Sequence, residues 1–237
     1  MPHSRLYALP EQALRRPWRA RLGAALLLLL LLAGWAEAAH AAPAQWPNDV
    51  KIFNTMDFKS PIKNMPQWER VMSRGDKEMN FFSTCQSGTS GCPAAAGRWQ
   101  KLLAELKGQP PMKQLQEVNK FYNTWPYRTD MDAYGVLDYW ASPMEFVTKS
   151  GDCEDYAIIK FYALKRLGWD PNNLRIAAVT DRILNLGHAI LVAYLEGEVY
   201  VLDNQSTGVF GHSRFKHYEP HYSVNEFYKW AHVPARR

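Results

Sequence analysis

The chain has 237 residues, of which 47% are hydrophobic and 22% charged, and its formal net charge is +5. Residues 1–41 contain five arginines and two glutamates, a net charge of +3, which leaves +2 for the rest of the chain. No dense stripe of lysine and arginine follows residue 41, and this argues against a nucleic-acid-binding protein. The remaining length suffices for one hydrophobic core, and no repeat or linker divides it.

The N-terminal segment has the pattern of a secretory signal peptide. Its arginines precede an apolar run over residues 22–36, and small residues at Ala36, Ala38, Ala39 and Ala41 follow. The run is shorter than the roughly 20 residues of a transmembrane helix, so an uncleaved membrane anchor is the less favoured alternative. We therefore predict a signal peptide over residues 1–41 and one exported domain over residues 42–237.

The three cysteines of the exported part have different settings. Cys85 and Cys92 enclose a short loop rich in glycine, serine and threonine, and we predict that they form a disulfide in an oxidising compartment. Cys153 is then unpaired. An unpaired cysteine in an exported protein is either buried and inert or retained for its chemistry.

Apolar periodicity predicts helices first and strands afterwards. The predicted helices cover residues 65–80, 94–106, 112–123, 143–149 and 153–167, and the predicted strands cover residues 174–180, 188–195 and 198–203. We interpret residues 210–237 as irregular, with one helix around residues 224–230. Helices followed by an antiparallel sheet indicate an α+β fold.

The turn at residues 196–197 sets the register of the last two predicted strands. If Leu195 pairs with Glu198, Ile190 faces Asp203, and His188 lies diagonally opposite Asp203 on the same face. Diagonal neighbours are about 7–8 Å apart, a gap that these two side chains can span. A slip of one residue would place them on opposite faces, so the spacing predicts an imidazole–carboxylate contact.

Cys153, His188 and Asp203 together are the parts of a thiolate-dependent hydrolase. A cysteine at a helix N-terminus has a lowered pKa. Three carboxylates beside it act in the opposite direction: Asp152, Glu154 and Asp155. Asp152 could simply cap the helix. A cation that offsets the three charges is the alternative, and a site of hard oxygen ligands suits Ca²⁺.

Several segments resemble one family, the LapG-type bacterial transglutaminase-like cysteine proteinases. They are Gly-Asp-Cys-Glu-Asp-Tyr-Ala at 151–157, the strand that begins at His188, and residues 201–204, 123–127 and 138–143. The resemblance implies a papain-like α+β core with N-terminal helices packed on an antiparallel sheet. It also implies a periplasmic calcium-dependent endopeptidase in which Cys153 is the nucleophile, His188 the general base and Asp203 the residue that orients it.

The same resemblance implies a substrate and a partner. Members of the family cut the N-terminal region of a large surface adhesin at an Ala-Ala site, which releases cells from a biofilm. An inner-membrane cyclic-di-GMP receptor of the LapD type holds them in check. We expect the oxyanion to meet the Cys153 N–H and a side-chain donor, for which the Trp140 indole is a candidate.

Two other functions stay open from the residues alone. The same triad could carry out acyl transfer, as a transglutaminase or amidase does, because either water or an amine can resolve a thioester. A non-catalytic, Ca²⁺-switched binding module with a vestigial thiol is the second alternative. His212, His217 and His221 lack the spacing of a metal site, and we interpret them as part of a solvated loop.

Overall fold

A computed structural model of the chain describes residues 50–86 and 88–235. The predicted signal peptide, residues 1–41, lies outside the described residues. Within the described part, none of the helices has the length and apolar character needed to cross a membrane. The predicted boundary of the exported domain therefore stays a prediction.

The helices come first in the chain, apart from one short strand. They are α1 (Pro66–Thr84), α2 (Ala96–Leu106), α3 (Pro111–Tyr122), α4 (Asp130–Tyr134), α5 (Pro143–Lys149) and α6 (Cys153–Arg166). Five of them match the predicted helices to within a few residues. Helix α5 begins with the capping box that Ser142 and Glu145 form, and Pro143 occupies its first turn. The Cys85–Cys92 disulfide is also present, as predicted.

In the described part of the chain, seven strands form a single antiparallel sheet. They are β1 (Thr55–Pro61), β2 (Leu174–Asp181), β3 (Leu186–Leu195), β4 (Glu198–Leu202), β5 (Phe210–Gly211), β6 (Tyr218–Val224) and β7 (Tyr228–Pro234). Their order across the sheet is β1-β7-β6-β2-β3-β4-β5. The mixture of helices and antiparallel sheet confirms the predicted α+β fold.

Helix α6 lies against strands β2 and β3 and is buried over most of its length. The helix side of the sheet contributes Ile176, Leu191 and Ala193 to the main core, whereas Ala177 and Ile190 belong to a smaller core on the opposite face. This alternation is the two-residue period of strands that are buried on both faces. Burial of α6 fixes where its N-terminus, and therefore Cys153, meets the sheet.

The prediction for the C-terminal segment was wrong. Residues 210–237 are not an irregular stretch with a helix near residue 224, because β6 and β7 form a hairpin there. The side chain of Asn225 accepts the backbone N–H groups of Phe227 and Tyr228 and makes the turn. Apolar residues three and four apart on either side of a tight turn imitate helical spacing, while the aromatic composition favours strands. Strand β1 and the short helix α4 were also not predicted.

Candidate active site

Cys153 is the first residue of α6, and the chain before it is held tightly in place. Both carboxylate oxygens of Asp155 accept backbone N–H groups, from Ala141 at 2.6 Å and from Asp152 at 3.2 Å. A Cβ atom on Gly151 would lie 1.9 Å from Asp155 Oδ2, so only glycine fits at this position. The buried Asp155 therefore ties the start of α6 to the segment that precedes α5, and its own pKa is raised by burial.

His188 and Asp203 are in direct contact, as the hairpin register predicts. Strands β3 and β4 pair Leu195 with Glu198 and Leu191 with Leu202, the register inferred from the sequence. His188 Nε2 lies 3.0 Å from Asp203 Oδ1, and both side chains are almost completely buried. This contact occupies Nε2 and leaves Nδ1 as the ring nitrogen that is free to act on another group.

Asp203 has further hydrogen-bond partners that keep it ionised. The Tyr218 hydroxyl donates to Asp203 Oδ2 at 2.5 Å, and the Gln205 backbone N–H donates to Oδ1 at 2.9 Å. Burial alone would raise the pKa of Asp203, but the interactions with His188 and Tyr218 outweigh burial and hold it below its ordinary value. The structure thus presents a fixed carboxylate to the imidazole.

A buried lysine lies behind this carboxylate. Lys160 on α6 is fully buried, and its Nζ donates to Asn119 Oδ1 at 2.8 Å. The side chains of Asn119, on α3, and Asn123, just after it, both donate to the carbonyl of Ser206. Asn123 also donates to the carbonyl of Asp203. Burial lowers the pKa of Lys160 to about 7, although the charge of Asp203 acts in the opposite direction. Lys160 therefore supports the loop after β4 through Asn119, although its burial disfavours the charged form of the lysine.

The shifted pKa of Lys160 gives a testable dependence of stability on pH. Because the folded state releases this proton near pH 7 and the unfolded state near 10.5, the wild type gains stability as pH rises through that interval. Lys160→Met lacks this proton, so its free energy of unfolding, relative to that of the wild type, should fall as pH rises above 7. We expect a fall of up to about 1.4 kcal/mol per pH unit. Urea unfolding from pH 6 to 9 measures the difference, with Lys120→Met on the exposed surface of α3 as the control. A difference that does not change with pH would contradict the assignment.

Cys153 and His188 line one cavity of about 370 Å³, together with Trp140, Gly187 and Ala189. The backbone N–H of Ala189 contacts the sulfur, which places the thiol beside the residue that follows His188. The thiol donates to Glu154 Oε2 at 3.2 Å. Burial, followed by the charge of Glu154, raises the pKa of Cys153.

Carboxylates from three segments gather at the same cavity. Ligand atoms of Asp130, Asp138 and Glu154 lie within 4.8 Å of one another, and so do those of Asp130, Asp152 and Asp155. Asp130 Oδ1 and Asp152 Oδ1 are buried without a hydrogen-bond partner. Burial is the main cause that raises the pKa of Asp130 to about 6 and of Asp152 to about 8, and neighbouring acids add to it.

This acid cluster has the chemistry of a site for a hard cation. All of its candidate metal ligands are carboxylate oxygens, which Ca²⁺ prefers. Two of these oxygens, Asp130 Oδ1 and Asp152 Oδ1, are buried and accept no hydrogen bond. A buried carboxylate oxygen without a partner is costly unless another group compensates it. The residues present therefore fit a calcium ion, with Asp130, Asp138, Asp152 and Glu154 best placed to hold it. Asp155 reaches the cluster as well, although both of its oxygens already accept N–H groups.

Sequence reasoning missed Asp130, Asp138, Tyr218 and Lys160. Asp130 and Asp138 stand far from Cys153 in sequence, and the contact of Arg128 N–H with Gly151 O at 2.9 Å brings their loop to it. The one available signal was the density of acids between residues 130 and 138. The interpretation of the C-terminal histidines as a solvated loop was wrong for His212 and His221, whereas His217 lies in the turn before β6. His212 accepts the backbone N–H of Phe53 at 2.8 Å, and His221 lies on β6.

Comparison with known proteins identifies the family. The model of the family described as bacterial transglutaminase-like cysteine proteinase, BTLCP, matches residues 72–236. The chain belongs to this family. A search among the curated proteins finds no match. Cys85 and Cys92 are joined in a disulfide, so Cys153 is the free cysteine of the described residues.

Solved structures of one family member are similar to this chain. LapG of Legionella pneumophila in a calcium-bound form has a TM-score of 0.57 and 32% identity, over 68% of this chain and 89% of that one. The EGTA-treated form of the same protein has a TM-score of 0.56 and 34% identity, over 66% of this chain and 84% of that one. The similarity supports the transglutaminase-like fold and a LapG-type proteinase.

Proposed function

We propose that this cysteine proteinase is a periplasmic, calcium-dependent endopeptidase in which Cys153, His188 and Asp203 form the catalytic triad. The observation that carries the proposal is the 3.0 Å contact between His188 Nε2 and Asp203 Oδ1, at the wall of the cavity that contains the thiol. Asp203 fixes the tautomer in which Nδ1 can accept a proton.

Each residue has a defined part in the proposed reaction. The Cys153 sulfur attacks the carbonyl carbon of the scissile bond while its proton passes to His188 Nδ1. The C–N bond then breaks, the imidazolium gives its proton to the leaving amine, and a thioester to Cys153 remains. Water, deprotonated by His188, hydrolyses the thioester and regenerates the thiol. The Cys153 backbone N–H at the start of α6, and the Trp140 indole in the cavity wall, are candidate donors to the oxyanion.

Calcium is part of the proposal because the acid cluster adjoins the thiol. Asp130, Asp138, Asp152 and Glu154 would hold the ion, with Asp155 in reach. A bound cation offsets the negative charge that otherwise opposes formation of a thiolate. The similar LapG of Legionella pneumophila is known in a calcium-bound form, which supports calcium binding here.

The proposed substrate is the N-terminal region of a large surface adhesin, cut at an Ala-Ala site, and the proposed result is release of the adhesin and dispersal of a biofilm. The proposed inhibitor is an inner-membrane cyclic-di-GMP receptor of the LapD type. The signal-like pattern of residues 1–41 supports the periplasmic location. The test is incubation of the exported protein with the N-terminal fragment of the organism's largest secreted adhesin, with Ca²⁺ or with EGTA. We expect one cut that depends on Ca²⁺, and an uncut fragment would reject this substrate.

The role of Asp203 gives a separate prediction. Asp203→Asn keeps the size of the side chain but replaces an acceptor of the Nε2 proton with an amide that can also donate, so His188 can adopt the wrong tautomer. We expect kcat to fall by about 10³-fold or more, with a small change in KM. Tyr218→Phe removes one hydrogen bond to the same carboxylate, and we expect a much smaller loss. An Asp203→Asn enzyme with most of its activity would show that another group orients His188.

A further inference from the structure

A second cavity adjoins the one that contains Cys153. It has a volume of about 270 Å³ and is lined mainly by residues of β1, β6 and β7, including Phe58, Tyr222 and Ala231. Met65 and Tyr222 line both cavities. The two cavities are therefore neighbours along the same face of the sheet, and we refer to them together as the cleft.

The strand pairing shows how the cleft runs. Ala189 on β3 pairs with Ala178 on β2, Ala178 pairs with Tyr222 on β6, Tyr222 pairs with Ala231 on β7, and Ala231 pairs with Phe58 on β1. These partners lie in one row across the helix-side face of the sheet. The row begins beside the sulfur of Cys153, at Ala189, and ends at the far cavity.

The far cavity is apolar and open to solvent. Phe58 has 59% of its surface exposed and Tyr222 36%. Met65 and Ala231 complete its apolar side chains, whereas the ring of Trp230 packs on the opposite face of the sheet, where the Arg175 guanidinium lies 3.8 Å from it. Exposed aromatic side chains beside a cavity are typical of a binding surface, because covering them removes apolar area from water.

Charge changes along the cleft. The end near Cys153 carries Asp138, Asp152 and Glu154, whereas Lys229 lines the far cavity. A ligand that occupies the whole cleft would therefore meet a basic group beside the apolar pocket. An acidic residue next to an apolar one would complement that end.

We propose that the far cavity is a substrate subsite that binds an apolar side chain several residues from the scissile bond. This inference rests on the proposed function, because only a polypeptide held for cleavage must pass over Cys153. Neighbouring strands are about 4.8 Å apart, so the three to four strand spacings from β3 to β7 and β1 cover about 14–19 Å. An extended chain advances about 3.3 Å per residue, which places the bound side chain roughly four to six residues from the cut.

The test is a profile of cleavage sites. A library of peptides derived from a proteome is digested with the exported protein in Ca²⁺, and mass spectrometry records which residues surround each cut. We expect the wild type to prefer an apolar residue four to six positions from the cut, on one side only. Ala231→Glu and Phe58→Ser place polar groups in the far cavity. Both should lose that preference, and kcat/KM for the preferred peptides should fall about tenfold.

Val233→Glu is the matched control, since Val233 lies on the same strand and face as Ala231, is 42% exposed and lies outside both cavities. It should cut like the wild type, and all three variants should match the wild-type melting temperature. A wild type that cuts without any preference beyond three residues, or a preference that survives in Ala231→Glu and Phe58→Ser, would overturn the subsite and leave the proteinase function standing.

Two further results separate the alternatives. If no cut depends on Cys153, judged with Cys153→Ala, the proposed function fails and the subsite fails with it. If sedimentation shows that Ala231→Glu and Phe58→Ser convert a dimer into a monomer while the cleavage profile stays unchanged, the far cavity contacts a second copy of this chain and the proposal is wrong.

Discussion

Replacement of Cys153 with alanine should abolish cleavage while leaving the fold intact. Its sulfur is the proposed attacking atom, and removal of a nucleophile from a catalytic unit costs several orders of magnitude in kcat. Alanine at the first position of α6 also leaves the helix start unchanged, because Asp155 and Gly151 rather than the thiol hold it. Cleavage of the adhesin fragment followed by gel, together with a thermal melt of each protein, measures both parts.

His188→Ala should be as severe as Cys153→Ala, and the double variant should be no worse than either, because residues that act as a unit are strongly non-additive. His221→Ala is the control. His221 is exposed on β6, where it contacts Thr180 at 2.7 Å, and it does not line the catalytic cavity. Near-normal cleavage by either Cys153→Ala or His188→Ala would end the assignment of the triad.

Removal of calcium should stop cleavage, and added Ca²⁺ should restore it. Glu154 Oε2 accepts a hydrogen bond from the Cys153 thiol at 3.2 Å, and Glu154 also belongs to the acid cluster. If a bound Ca²⁺ takes up the Glu154 oxygens, the thiol is free to turn toward His188. Mg²⁺ should not substitute, because it requires a tighter octahedral shell and dehydrates reluctantly. Activity in EGTA, in EGTA with excess Ca²⁺, and in EGTA with excess Mg²⁺ measures the effect.

Variants of the acid cluster should behave like the wild type in EGTA. Asp152→Ala and Glu154→Ala should lose activity at every Ca²⁺ concentration, and Ca²⁺ should raise the melting temperature of the wild type but not of these variants. Glu105→Ala, an exposed acid on α2, is the control. Full activity in EGTA, with no effect of Ca²⁺ on the melting temperature, would show that the acid cluster does not bind a calcium ion needed for activity.

The same cluster predicts a pH dependence of stability in EGTA. Burial raises the pKa of Asp152 to about 8 and that of Asp130 to about 6, both above the ordinary value of 3.8 for an aspartate. A carboxyl group with a raised pKa stabilises the fold fully below its unfolded value, and that contribution is lost as pH rises through the folded value. Stability in EGTA should therefore fall between about pH 4 and 8, and Ca²⁺ should reduce the fall. Urea unfolding across this range checks it, and a larger fall with Ca²⁺ would contradict the account.

The sequence predicted those parts of the site that depend on local rules. Cys153 could be placed because Gly151 and Asp152 end one helix and begin the next, and Asp203 because a two-residue turn fixes the register of β3 and β4. In both cases the deciding residues are close in the chain. The α+β fold followed from the same local periodicity.

The parts that could not be predicted depend on contacts between distant segments. Tyr218 reaches Asp203 only because β6 pairs with β2, and strands of aromatic and polar residues gave no clear two-residue alternation. Asp130 begins the short helix α4 and Asp138 lies in the loop after it, and no periodic pattern in the sequence places either residue near Glu154. Lys160 occupies a position in α6 where periodicity predicts an apolar residue, and only the fold shows Asn119 opposite it.

We propose that Cys153 is a nucleophile activated by its surroundings, and its rate of alkylation tests this most directly. The rate of iodoacetamide labelling of Cys153 at pH 7, measured by mass spectrometry, should exceed that of glutathione by about tenfold or more in Ca²⁺, because an activated cysteine is more ionised than a free thiol. In EGTA, and in His188→Ala, the rate should fall well below that of glutathione. A rate no faster than that of glutathione in Ca²⁺, and unchanged by EGTA or His188→Ala, would contradict the account and leave Cys153 a vestigial thiol.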